Sequence, residues 1–207
     1  LMDRASRKHF LHSTVAAGIL CIAICAGLIA QERVTASRAK DYAGTIADRK
    51  TSELQSGLEV LLSMKRHALP ELRQLYERSE PGSEARLHLA IACLRLGDPS
   101  SELLPEIQKL ALECRPDQLV PLVSLLQPWA TEIIPDLKIT LRNTTETPGR
   151  RLHAACLLAG WETTAWADPD TAEFVATQLV LQNPVFIGQY QEVLRPQASR
   201  LAAPLAT

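Results

Sequence analysis

The stretch RLHLAIACLRLGD, residues 86–98, nearly returns as RLHAACLLAGWE, residues 151–162. An active site is rarely written twice, whereas scaffolding often is, so this duplication limits the fold more than any other feature of the chain. At an offset of 65, Leu87, Ile91 and Leu94 align with Leu152, Cys156 and Ala159. Both triplets follow i, i+4, i+7, the spacing of one apolar stripe on a helix. A polar turn precedes each copy, Pro81-Gly82-Ser83 and then Pro148-Gly149, and Gly97 or Gly160 stands near its end. A helix bounded in this way is one layer of a stacked helical array. The period is irregular, so the expectation is a HEAT-like array of antiparallel helix pairs rather than a regular solenoid.

The rest of the chain agrees with an all-α class. Leu54, Leu58, Leu61 and Leu62 open a helical pattern at about Thr51, and no later segment alternates as a strand would. Helices are expected near residues 51–66, 69–79, 83–96, 101–114, 117–127, 129–143, 149–160, 170–182 and 184–194. Pro, Gly, Asp and Ser separate them. Leu69-Pro70-Glu71, Leu104-Pro105-Glu106, Val120-Pro121-Leu122 and Ile134-Pro135-Asp136 share a device. Proline suits a first turn, where its missing N–H would lack a partner, so these are start signals, or kinks where Pro falls deeper.

The front of the chain is different. Residues 10–30, FLHSTVAAGILCIAICAGLIA, run 21 positions without a charge, about the helical length that crosses a bilayer. A cleaved signal peptide is the rival reading, but the apolar core is long for one and Leu28-Ile29-Ala30 is a poor cleavage site. The resulting plan is a short tail (1–9), a transmembrane helix (10–30), a helical stalk (31–50) and an all-helical repeat-like domain (51–207). The stalk, QERVTASRAKDYAGTIADRK, has few large apolar groups and reads as a solvated spacer with no core to bury. Three Lys/Arg flank the span on each side, so the positive-inside rule returns a tie. Leu1 before Met2 is what a piece of a longer gene product, or an alternative start, would show.

Chemistry is hard to find. The chain has no Walker or dinucleotide glycine pattern, no H-E-x-x-H, no C-x-x-C and no nucleophile elbow. A net charge of −1 with mixed signs offers no basic stripe, which argues against nucleic acid. Cys93, Cys114 and Cys156 read as small buried hydrophobes. His88 and His153 recur in phase and invite a paired pH sensor, but the blander reading is a histidine beside Arg86 or Arg151, hydrogen-bonded to the next layer. Asn143-Thr144-Thr145 matches a glycosylation acceptor, yet reads first as a loop after a helix, and Trp129, Trp161 and Trp166 read as seam-closers between helices. The sequence singles out no catalytic, cofactor-binding or metal-ligating residue, and no cofactor or small-molecule substrate.

RLHLAIACLRLGDP, the run from Pro121 to Leu137, RRLHAACLLAGWE, FVATQLVLQNPVFIGQYQEVLRP and the final LAAPL occur in that order. Together they resemble the membrane-adjacent helical region of planctomycete-type transmembrane serine/threonine protein kinases. In that family a cytoplasmic kinase leads to one span and an extracytoplasmic helical region, often followed by a formylglycine-generating-enzyme-like domain. This chain carries no glycine loop, VAIK-type lysine, H-R-D or D-F-G, so the resemblance implies architecture and orientation, not activity. The helical domain is then extracytoplasmic, on the cell inner membrane.

The functional expectation is a non-catalytic, single-pass anchored helical module that binds a protein partner or acts as sensor and spacer. Its contact surface is expected on residues 83–96, 117–127 and 149–160. The alternatives are a fragment of a transmembrane kinase whose catalytic part is encoded upstream, and a secreted helical domain after signal cleavage.

Overall fold

The computed structural model describes the backbone of residues 2–206 and the side chains of residues 23–206. Among them the chain is helical throughout and has no strand. The helices are α1 (Met2–Ile46), α2 (Leu54–Ser63), α3 (Lys65–Arg78), α4 (Glu84–Arg95), α5 (Leu103–Glu113), α6 (Pro116–Leu126), α7 (Ala130–Arg142), α8 (Pro148–Trp161), α9 (Pro169–Val180), α10 (Ile187–Leu194) and α11 (Ala198–Leu205). The expected tail and residues 10–22 of the expected span lie outside the described side chains. No helix among the described residues is long and apolar enough to cross a membrane.

Local chemistry accounts for the boundaries. Ser83 Oγ accepts from Arg86 N–H at the start of α4, and Thr147 Oγ1 from Arg150 N–H at the start of α8. Each cap satisfies a donor that the first turn leaves without a partner. Pro116, Pro148 and Pro169 open α6, α8 and α9, where a missing N–H costs nothing. At the end of α4 the Asp98 N–H reaches Cys93 O and the Gly97 N–H reaches Leu94 O. Gly97 takes a φ of +76° to make this Schellman turn.

The proline device fares differently. Pro105 lies in the first turn of α5, but Pro70, Pro121 and Pro135 sit deeper inside α3, α6 and α7. Earlier signals had already started those helices: Pro116 with the Arg115 cap for α6, and a 3-10 turn over Gln127–Trp129 for α7. Gly160 does not stop α8, which runs on to Trp161. Helix α11 lies beyond the last expected helix.

Part of the expected spacer is drawn into the core. Ala39, Ala43 and Ile46 are fully buried at i, i+4, i+7 on α1, which packs on α2, α3 and α4. The reading of residues 31–50 weighed large apolar groups, whereas a stripe of alanines buries by letting backbones approach. Gly57 of α2 shows how close: a Cβ there would stand 3.0 Å from Ile46 Cδ1.

The two related helices lie at the centre. Every residue from Leu87 to Cys93 in α4 and from Leu152 to Ala159 in α8 is buried. Helix α4 is enclosed by α1, α2, α3 and α5, and α8 by α5, α6, α7, α9 and α10, with α5 between the two centres. A helix apolar all round is buried all round. The expected contact surface on residues 83–96 and 149–160 is therefore corrected over 87–93 and 152–159, which are core. Each fully buried Leu among them is worth about 1.5–3 kcal/mol relative to exposure.

Candidate functional site

The repeated Arg-Leu-His is used the same way twice. The Arg86 guanidinium lies 4.3 Å from the centre of the Tyr76 ring and donates to the carbonyls of Tyr76 at 3.1 Å and Ser79 at 3.3 Å, where α3 ends. The Arg151 guanidinium lies 4.0 Å from the centre of the Phe174 ring and its Nε donates to Leu141 O at 2.9 Å, where α7 ends. Each arginine thus donates to carbonyls at the negative end of the preceding helix and stacks on an aromatic face. Arg86 also pairs with the Glu106 carboxylate, to which the Tyr76 hydroxyl donates. Leu87 and Leu152 fill the core between these fastenings.

The histidines complete the pattern. His153 Nδ1 lies 3.0 Å from Leu112 O on α5, and Nε2 lies 3.3 Å from the Tyr190 hydroxyl on α10. A carbonyl can only accept, so Nδ1 carries a proton toward Leu112 O, while the single Tyr190 hydroxyl proton is shared between His153 Nε2 and Gln182 Oε1, 3.4 Å from that hydroxyl. Burial lowers the pKa of His153, opposed by the Leu112 carbonyl, and pushes the Tyr190 phenol up to about 12. His88 Nε2 lies 2.9 Å from Thr51 Oγ1, which also receives Gln118 Nε2 from α6 at 3.3 Å. Burial lowers the pKa of His88 too, while Glu84, 3.7 Å away, and the Ile46 and Ala47 carbonyls act the other way. His88 and His153 do not share a face: one ties α4 to the 3-10 turn at Thr51, the other ties α8 to α5 and α10.

The remaining candidates are structural. Cys93 and Cys156 are buried and Cys114 is half-buried, and all are unpaired. Burial raises each thiol pKa, to about 12 for Cys93 and Cys114, so none is a thiolate near neutrality. Trp166 is buried and Trp129 and Trp161 pack on the core, but the indole N–H groups of Trp161 and Trp166 are buried without a partner rather than held at an edge. Asn143 Oδ1 accepts from the Thr145 N–H at 3.1 Å, forming a turn after α7. Among the described residues no three His, Cys, Asp or Glu gather where a metal ion could bind.

What the fold leaves open lies near the C-terminus. A groove of about 380 Å³ runs between Leu179 and Val180 of α9, Ile187 and Leu194 of α10, and Leu201 and Leu205 of α11. Its polar lining is Gln191 and Arg195. Val180 in its wall, and Leu181 and Val185 close along the chain to Val180 and Ile187 of the lining, are exposed by 76%, 72% and 74%. Apolar side chains this exposed and this close together mark a contact surface. One wall of the groove is α11, which lies beyond the last helix that the sequence pattern predicts.

Comparison of the chain with protein-family models, curated proteins and solved structures returns no match.

Proposed function

We propose that this chain is a non-catalytic helical module, anchored in the cell inner membrane by the helix over residues 10–30 and binding a protein partner outside the membrane through its C-terminal groove. One observation supports the anchor above the rest. Ile24, Leu28 and Ile29 are each more than half exposed, and every residue from 23 to 30 lies on the surface, so among the described residues the apolar part of α1 has no protein over it. A helix apolar all round and free of protein neighbours suits hydrocarbon. The pairs α3/α4 and α7/α8, each closed by an arginine at the end of its first helix, support reading the domain as HEAT-like layers.

Alkaline carbonate extraction tests the anchor: the full chain stays with the membrane pellet, and its release into the supernatant refutes anchoring and favours a secreted domain. A second reading, in which the module is the sensor-spacer of a transmembrane serine/threonine kinase, is favoured by the ordered motifs RLHAAC, Asn183 to Tyr190 and Leu194-Arg195-Pro196. The nucleotide sequence upstream tests it: kinase motifs in frame or one frameshift away support it, and their absence removes it.

A further inference from the structure

The groove between α9, α10 and α11 has the character of a seat for one kind of partner. A chain laid into it meets apolar walls and two polar side chains, Gln191 and Arg195. An extended segment would bury its own N–H and C=O groups there without enough partners, at a cost of about 1–3 kcal/mol each. A helix satisfies its backbone internally and presents side chains at i, i+3, i+4 and i+7, the usual occupant of an apolar groove.

The charge is also one-sided. Arg195 is the charged residue of the lining and has no carboxylate within ion-pair distance among the described residues. Glu192, on the same helix, is exposed but does not line the groove. A partner that buried Arg195 without an opposite charge would strand a cation at the interface. A fatty acid could meet the arginine and fill the groove, but it would leave the exposed Leu181 and Val185, outside the lining, in water. A helix wide enough to lie across the groove covers them. A membrane surface is disfavoured as well: α1 packs on α2, α3 and α4, a different set of helices from those that build the groove.

Building on the protein-binding reading above, we infer that the groove receives an amphipathic helix of a partner protein, apolar side inward, with a carboxylate of that helix paired to Arg195.

The test uses the full chain in lipid nanodiscs and two labelled amphipathic helices of about 18 residues, long enough to hold helicity. They differ in one residue beside the apolar stripe, Glu in one and Lys in the other, and binding is read by fluorescence anisotropy. The Glu helix should bind about fivefold tighter than the Lys helix. Arg195→Glu should invert that order. Ala202→Trp, which plugs the groove from an exposed position and spares the core, should abolish binding of both. Equal binding of both helices with loss in Ala202→Trp overturns the charge assignment and leaves a protein-binding groove standing. No binding of either helix, with or without binding of laurate in its place, overturns the inference and the protein-binding reading together.

Discussion

His153 gives the most direct check on how the second repeat copy is built. Its ring is buried between Leu112 O and the Tyr190 hydroxyl, burial disfavours its charged form, and no carboxylate stands against it to favour protonation. The folded-state pKa is therefore lowered, whereas the unfolded chain takes a proton near the ordinary value of about 6.5. As pH falls below that value the unfolded state binds the proton and the native state does not, so stability falls with pH. It levels off only once the folded pKa is passed. If the native ring stays neutral, lowering the pH from about 7 to about 5.5 costs about 1.3 kcal/mol through His153. His88 acts in the same direction, opposed by Glu84, so the two together cost at most about 2.5 kcal/mol.

Denaturant unfolding followed by circular dichroism at several pH values across that window measures the slope. Asp98, Asp117 and Glu162 have lowered pKa values from their Arg73, Arg115 and Thr164 hydrogen bonds and titrate below the window. Glu106, whose pKa burial raises, is present in both wild type and His153→Gln and cancels in the comparison. In His153→Gln the loss between the two pH values should shrink, by at most about 1.3 kcal/mol, whatever the variant's stability at neutral pH. A variant that keeps the full wild-type slope, or a His153 ring proton that titrates at or above the ordinary histidine value by NMR, would refute the buried neutral imidazole.

Other expectations follow from the packing. Ala43→Leu forces a larger side chain between α1 and its neighbours and should cost about 1–3 kcal/mol by thermal or chemical unfolding, whereas a free spacer would not respond. Leu152→Ala, in the centre of α8, should cost about 2–5 kcal/mol, against less than about 0.5 kcal/mol for Ile139→Ala on the surface of α7. Gly97→Ala must hold φ +76° with a Cβ 3.0 Å from Lys65 Nζ, and should cost about 1–2 kcal/mol. Cys93 and Cys156 should resist maleimide at neutral pH until the domain unfolds, because burial both raises their pKa values and blocks access.

Much was legible in the amino-acid order. The period of Leu and Ala determined the helical class, and Ser83, Thr147 and the prolines at 116, 148 and 169 set helix starts through a few residues of local chemistry. The repeated Arg-Leu-His announced a repeated use, and the second residue of each copy announced core. Those signals are local: a cap, a first-turn proline and an apolar stripe act within one or two turns, so no tertiary knowledge is needed to read them.

Tertiary structure decided what each element packs against. The alanines at 39 and 43 look like helix filler until α2 and α3 approach closely enough to bury them. Whether α4 and α8 face a partner or the interior depends on how many helices surround them, and a stripe at i, i+4, i+7 is compatible with either. What Arg86 and Arg151 do depends on two helix ends and two aromatic rings brought to them by the chain's path. The groove is lined by residues of α9, α10 and α11 together, a consequence of where three separate helices come to rest. Burial is a property of neighbours, and neighbours distant along the chain leave no mark on the residue they cover.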